Sequence, residues 1–139
     1  MPPVGPHVNP YSVPWDELPA PAREANLAAA LRMHPILAMA GLALRDDPDL
    51  EGHHPSASAM LTANLERMAE AEHQGWCQQK LLEGWSWADV RDDALLHHPS
   101  LKPYADLPES EKDKDRGSIL HYPGNAAAVG LRLAPVAAQ

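Results

Sequence analysis

Residues 70–87 read EAEHQGWCQQKLLEGWSW, and this stretch carries most of the polar and aromatic side chains that could recognise a ligand. If it is helical to about Glu83, Glu72 and Trp76 are separated by four residues, and His73 and Trp76 by three. Side chains at these separations lie on adjoining stripes of one helix surface. The spacing therefore predicts a helix that presents an acid, an imidazole and an indole together.

The preceding residues predict where this helix begins and which face it buries. Either Ser56 or Ser58 can cap its first turn. Apolar residues then recur every three or four positions along an inward face that comprises Met60, Leu61, Leu65 and Met68 and continues to Glu72 and Trp76. A carboxylate on this apolar stripe needs a partner, because burying it unpaired would be costly. We expect that partner to be a backbone amide, His97 or a group supplied by a ligand.

A glycine marks the end of the helix. Gly84 is predicted to terminate it and to turn Trp85 and Trp87 back toward the helix surface. Trp76 with either of these indoles would form an aromatic slot for a purine, where stacking contributes about 1–3 kcal/mol per base. The same indoles are equally suited to the core or to a subunit contact, because the chain has four Trp, three Tyr and no Phe.

Length and composition limit the classes of function. A chain of 139 residues is long enough to form one domain with its own core. A net charge of -8 disfavours nonspecific binding to a nucleic acid polymer, although a small anion in a local basic pocket is compatible with it. The single cysteine excludes an intrachain disulfide, and the sequence shows neither a membrane span nor a signal peptide. We therefore expect a cytoplasmic protein that does not insert into a membrane.

The chain divides into segments that together form one domain. They are an extended Pro-rich N-terminus at residues 1–10, an N-terminal half-repeat at residues 11–45, an acidic linker at residues 46–55, and the main unit at residues 56–134. Within the half-repeat, a helix from about Ala20 through Leu31 is expected to end or bend at Pro35. A second, highly charged helix is expected at residues 109–120.

The N-terminal half-repeat is identified by an internal similarity. At an offset of 89 residues, positions 10–44 align with positions 99–133 without gaps, and nine of the 35 positions are identical. The identical pairs include Pro19 with Pro108, Leu31 with Leu120, Gly41 with Gly130, Leu42 with Leu131 and Leu44 with Leu133. Turn residues and terminal apolar residues thus fall in register, and short strands are expected at residues 42–44 and 131–133.

Five motifs follow one another along the main unit. They are MAEAEHQGW at residues 68–76, GWSW at 84–87, HPSLKPY at 98–104, Leu107, and EKDKDR at 111–116. In this order and spacing they resemble the RyR domain, the repeat found in tandem in ryanodine receptors and in small prokaryotic and phage proteins. Two positions depart from the receptor repeats: Ala71 stands where Asn is usual, and Ala88 where Gly is common.

The resemblance implies a mainly α (α+β) fold, a helical RyR-repeat module with short strands and half-repeats related by a pseudo-twofold axis. Receptor repeats bind adenine nucleotides with Trp side chains of paired repeats on either side of the base. Carried over by motif position, the implied ligand-binding residues are Glu72, His73, Trp76, Trp85 and Tyr104, with Arg116 as a phosphate contact. Because the front half of the repeat occurs once, the second indole is expected from another subunit, which predicts a homodimer.

Catalysis and metal binding are not expected. His73 and Cys77 are spaced as a nucleophile and base on one helix, but the sequence indicates no third orienting group and nothing that lowers the thiol pKa. The pairs at residues 53–54 and 97–98 place adjacent histidines in extended turns, where they point in opposite directions and suit tetrahedral zinc poorly. No phosphate-binding loop or hydrolase motif is present, so no cofactor is implied.

These observations lead to two hypotheses from different classes. In the first, the protein is a non-enzymatic binding module for an adenine, ADP-ribose-type or cyclic signalling nucleotide, which it senses or sequesters, including in a phage anti-defence role. In the second, it is a protein-protein interaction or structural module without a small ligand.

Overall fold

A computed structural model of the protein describes residues 20–47 and 55–136. The elements in these residues are α1 (Ala20–Met39), β1 (Leu42–Asp46), α2 (Pro55–Ala63), α3 (Leu65–Leu82), β2 (Ser86–Trp87), β3 (His97–His98), a 3-10 helix (Tyr104–Asp106), α4 (Glu109–Leu120), α5 (Tyr122–Ala127) and β4 (Leu131–Pro135). The expected mainly α (α+β) class is confirmed. The predicted extended segment at residues 1–10 and residues 48–54 of the predicted linker lie outside the described residues.

The helix α3 lies at the centre of the fold, where it packs against both α1 and α4. The most deeply buried side chains come from each surrounding element: Leu37 of α1, Met68 of α3 and Ile119 of α4 are fully buried, and Leu42 and Leu133 of the two long strands are 1 % exposed. Burying a side chain of this size contributes about 1.5–3 kcal/mol. One core therefore joins the N-terminal and C-terminal parts of the chain.

The single long helix expected from Ser56 or Ser58 is divided into α2 and α3. Helix α2 begins at Pro55, where a proline is tolerated because the first-turn N–H groups have no intrahelical partner. The break falls at Asn64, whose φ of -110° and ψ of 11° are not helical. Its side-chain amide donates to the carbonyl oxygen of Met60 over 2.8 Å. The backbone N–H of Asn64 donates to the same oxygen over 3.1 Å, so the hydrogen-bond pattern continues and the break is a local change of backbone angles.

Two other boundaries agree with the sequence analysis. Helix α3 ends at Leu82, and Gly84 follows with a φ of +95°, a left-handed conformation that favours glycine. Helix α4 spans residues 109–120, as its charge pattern predicts. Within the described part of the chain, no helix is both long and apolar enough to cross a bilayer.

Helix α1 extends beyond the predicted boundary at Leu31 and includes Pro35. A proline inside a helix removes the hydrogen bond to the residue four positions earlier, which here is Leu31. Leu31 is 77 % exposed and Pro35 is also exposed, so the carbonyl that loses its partner lies on the side where water can replace it. On the opposite side, Ile36 and Leu37 are buried in the core. Packing of this apolar pair maintains the helix through the proline.

The two half-repeats meet in the antiparallel pair of β1 and β4. Leu44 lies opposite Leu133, and these two residues are equivalent at the offset of 89 residues. Gly41 and Gly130, the equivalent glycines before the strands, have matching φ values of +75° and +77°. Helices α1 and α4 also begin at equivalent positions. The pairing is that of two segments related by a local pseudo-twofold axis through the Leu44–Leu133 pair.

A buried ion pair joins α1 to α3. The Arg32 guanidinium donates from Nε and Nη2 to the two Glu72 carboxylate oxygens, over 3.1 and 2.7 Å. Gly75, one turn along α3, leaves the space for the arginine stem. A Cβ at this position would lie 2.9 Å from Arg32 Nε and closer still to Cδ. The absence of a side chain at residue 75 is therefore a condition of the ion pair.

We predict that Gly75→Ala destabilises the protein by about 2 kcal/mol. The substitution displaces Arg32, which costs roughly 3 kcal/mol at the ion pair, and alanine regains up to about 1 kcal/mol of helix propensity. The matched control is Gly117→Ala in α4, where an added Cβ meets no atom within 4 Å. This variant should be as stable as the wild type or more so. Urea unfolding followed by circular dichroism measures the free energy of unfolding of both variants. If Gly75→Ala and Gly117→Ala raise it equally, a Cβ at residue 75 does not displace Arg32.

Candidate ligand-binding site

Three of the six predicted ligand-binding residues, Glu72, His73 and Trp76, lie on α3, and they do not share one face of it. Glu72 points toward α1 and is held there by Arg32, a partner that the sequence analysis did not single out. His73 and Trp76 lie on the other side, toward the segment at residues 98–104. The structure thus places the acid apart from the imidazole and the indole.

His73 is enclosed by hydrogen-bond acceptors. Its ring is 3 % exposed, with Nδ1 at 3.3 Å from the Asp115 carboxylate and Nε2 at 2.8 Å from the carbonyl oxygen of Lys102. Burial alone would lower the pKa of His73, but the Asp115 carboxylate and the Lys102 and Ser100 carbonyls raise the pKa above its ordinary value. As an imidazolium, the ring can therefore donate from both nitrogens. It links α3 to Asp115 of α4 and to the loop at residues 98–104.

Cys77 completes a row with His73 and Asp115. Its Sγ lies 3.3 Å from His73 Nε2, and Asp115 supplies the third group that the sequence did not indicate. However, the His73 Nε2 hydrogen is directed to the shorter contact at the Lys102 carbonyl. Burial and the Asp115 charge also raise the pKa of the Cys77 thiol. A thiol that stays protonated beside a fully bonded imidazole is a poor nucleophile.

Trp76, Trp85, His98 and Lys80 form a cluster that we call the aromatic platform. The Trp76 ring stacks on the His73 ring, with 5.6 Å between the ring centroids. It also contacts the His98 ring, with 4.9 Å between the centroids and an angle of 77° between the ring planes. The His98 ring is also 6.0 Å from Trp85. The ammonium of Lys80 lies 5.1 Å from the Trp85 ring centre and 6.0 Å from that of Trp76. The slot expected between Trp76 and Trp85 therefore contains an imidazole edge-on to both indoles.

The protonation state of His98 follows from its surroundings. Burial lowers the pKa of His98, and the positive charges of Arg91 and Lys80 lower it further. Its Nδ1 accepts the backbone N–H of Ser100 over 3.0 Å. The neutral ring thus carries its proton on Nε2. Trp87, which was expected to turn back toward α3 with Trp85, is 51 % exposed.

Tyr104 and Arg116 belong to a network of carboxylates beside α4. Tyr104 is 7 % exposed and donates its hydroxyl to Glu66 over 3.1 Å, and burial followed by this carboxylate raises the pKa of Tyr104 to about 12. Arg116 donates to Glu66, Glu109 and Asp113 over 2.6–2.8 Å. A phosphate at Arg116 would have to displace one of these three carboxylates, and a role in ligand binding stays a prediction for both residues.

Two clefts adjoin these groups. The smaller, of about 440 Å³, is lined by residues of α3 and of the loop before the 3-10 helix, among them His73, Cys77 and Tyr104. The larger, of about 950 Å³, lies between α1 and the α4–α5 segment and includes Glu72. Both volumes are in the range of small-molecule sites. No set of three or more His, Cys, Asp or Glu side chains in residues 20–47 and 55–136 is arranged to hold a metal ion.

A central helix packed between α1 and α4, with an antiparallel strand pair that joins the two ends of the described chain, defines a small, mainly helical module. The family model of the RyR domain matches residues 54–134, more than half of the chain. The chain belongs to the RyR domain family, as the order of its motifs indicated.

We predict that the protein loses stability as the pH rises through the titration of His73. A histidine whose pKa is higher in the folded state stabilises the fold fully below its unfolded value of about 6.5, and this contribution is lost as the pH rises through the folded pKa. Asp115→Asn should lower the pKa of His73 and flatten this dependence. Urea unfolding between about pH 6 and pH 8.5 and the His73 Hε1 proton resonance measure the two effects.

Asp113→Asn is the matched control, because Asp113 lies on the same helix but bonds to Arg116 instead of His73. It should leave the His73 titration close to that of the wild type. If Asp115→Asn and Asp113→Asn have the same effect on the His73 resonance, the Asp115 carboxylate is not the group that raises its pKa.

Proposed function

We propose that the protein is a non-enzymatic binding module for an adenine-type nucleotide, of the ADP-ribose or cyclic class, which it senses or sequesters. The observation that supports this most directly is the aromatic platform, where one ammonium lies over two indoles. Indoles offer a base a stacking surface, and a lysine beside them can meet a phosphate. Membership of the RyR domain family supports the same class of ligand, because receptor repeats hold adenine nucleotides with Trp side chains.

Lys80 is suited to the phosphate of such a ligand. Its ammonium lies 3.7 Å from the carboxylate of Glu83, three residues further along the chain at the end of α3. Ion pairs between side chains three residues apart on a helix contribute only about 0.2–0.5 kcal/mol. A phosphate can therefore take over the ammonium at small cost, whereas the Arg116 guanidinium is bonded to three carboxylates.

The position of His98 bears on how a base would bind. Because its ring lies against both Trp76 and Trp85, a purine has no space between these indoles unless the imidazole moves. In our proposal the base stacks on the outward face of the platform. A second copy of the chain then supplies the indole on the other face of the base, which makes the binding unit a homodimer.

The absence of catalysis is part of the proposal. The raised pKa of Cys77 and the bond from His73 to the Lys102 carbonyl both work against an activated thiol. A bound nucleotide should therefore be recovered unchanged after prolonged incubation with the protein, as chromatography of the mixture would show. Turnover by the purified protein would contradict a sensing or sequestering role.

We predict that Trp85→Leu weakens nucleotide binding by roughly 5- to 150-fold, the equivalent of about 1–3 kcal/mol of stacking. Titration calorimetry against a panel of linear and cyclic adenine nucleotides would first identify the ligand and then compare the variants. Trp87→Leu is the control, since Trp87 is a neighbouring indole that is 51 % exposed. It should bind as the wild type does.

Two results would contradict the proposal. One is the absence of any heat or thermal shift with the whole panel at millimolar concentration. The other is equal affinity of the wild type and Trp85→Leu for a nucleotide that does bind, because the platform would then not be the site. A partner protein captured by a chain that binds no nucleotide would favour the interaction module.

A further inference from the structure

The larger cleft has the composition of a small-molecule site and is separate from the aromatic platform. Most of its wall comes from α1, from α4 and α5, and from the start of β4, with Leu44 of β1 and Glu72 of α3 added. Most of the lining side chains are apolar, among them Met33, Leu44 and Leu131. None of the four platform residues is among the described residues that line it. A predominantly apolar cavity with a few polar groups is the usual form of a ligand pocket.

Tyr122 is the unusual residue of this cleft. It lines the cavity and is 4 % exposed, and its hydroxyl has no hydrogen-bond partner among the described residues. Burial raises the pKa of Tyr122, and the nearby charge of Glu72 raises it further. The hydroxyl is therefore a protonated donor at neutral pH. Buried polar groups are almost always hydrogen-bonded, so an acceptor is missing here.

Glu72 provides the complementary group. Each of its carboxylate oxygens accepts one N–H from Arg32, whereas a carboxylate offers about four lone-pair sites in all. It can accept a further donor without losing its ion pair. Glu72 and Tyr122 line the same cleft, so one bound molecule can meet both groups. A molecule with a hydrogen-bond acceptor next to a donor can therefore accept from the Tyr122 hydroxyl and donate to the Glu72 carboxylate.

The charges in the cleft are compensated. Glu72 is paired with Arg32 at 2.7 Å, and Lys114 is paired with Glu111 at 3.0 Å. His121 directs Nδ1 to the Gly117 carbonyl oxygen at 2.6 Å. The Lys114 side chain is 73 % exposed, so its pair contributes little. A charged ligand beside Glu72, however, would have to break the ion pair with Arg32 or remain unpaired in an apolar cavity, which is costly. The cleft thus favours a neutral molecule.

We propose that the cleft between α1 and the α4–α5 segment is a second ligand-binding site, which takes an uncharged planar aromatic molecule with an amide-like edge. The acceptor of that edge receives the Tyr122 hydroxyl, and its N–H donates to Glu72. The apolar walls cover the ring.

Titration of the full chain with benzamide, followed by amide and indole resonances, tests this site. Benzamide should shift the backbone amides of Ala29, Ser118 and Ala126, which line the cleft, and leave the indole N–H groups of Trp76 and Trp85 unmoved. Acetophenone, which keeps the acceptor but lacks the donor, should bind at least fivefold more weakly. Benzoate, which is charged, should bind more weakly still.

Two variants identify the contacts. Tyr122→Phe keeps the ring and removes the hydroxyl without a partner, so it should be at least as stable as the wild type and bind benzamide at least fivefold more weakly. Ala29→Phe fills the cleft from α1, so it should abolish the benzamide shifts. This variant tests the site even if Tyr122→Phe fails to fold. Tyr104→Phe, outside the cleft, should bind as the wild type does.

The proposal is overturned if benzamide shifts no cleft resonance up to its solubility limit, or if Ala29→Phe retains the shifts. It is also overturned if folded Tyr122→Phe binds benzamide as tightly as the wild type. None of these three results bears on nucleotide binding at the platform, which is measured separately at the two indoles.

Discussion

The ion pair between Glu72 and Arg32 is the constraint on which the arrangement of the module depends. A carboxylate on the buried face of a helix requires a partner, and here that partner is a cation from the element packed against the face. Arg32 meets this requirement because residue 75 is a glycine, so the arginine stem can cross α3 at close range. The pair therefore sets the position of α1 on α3 and, with it, the width of the cleft beside α4.

The same helix serves different environments on its different faces. Toward α1 it carries the ion pair, and toward the loop at residues 98–104 it carries a doubly bonded imidazole. Near its C-terminal end, Trp76 and Lys80 meet Trp85 after the turn at Gly84. Polar residues that appear as one group along the sequence thus act in separate places, because a helix turns by about 100° per residue.

Local signals in the sequence were sufficient for part of the structure. The turn at Gly84 and the limits of α4 depend on residues near each other in the chain, and both were predicted. The strands β1 and β4 pair over a long separation, and they were predicted from the internal similarity at an offset of 89 residues. The failures involve tertiary contacts or local changes of the backbone. Core packing maintains α1 through Pro35, and a local change of backbone angles at Asn64 divides the predicted long helix. Arg32 lies 40 residues from Glu72, and Lys102 lies 29 residues from His73, so spacing along the chain cannot indicate either partner.

The pairing of β1 with β4 also affects how the chain is made. Residues 42–46 hydrogen-bond to residues 131–135, so the first strand has no partner until the last one has left the ribosome. Loop closure over about 90 residues carries an entropic cost that must be met before the contact forms. During synthesis, α2 and α3 can form and associate with α1, while β1 remains an open edge. Completion of the domain is therefore a late, single closing step at the C-terminal half-repeat.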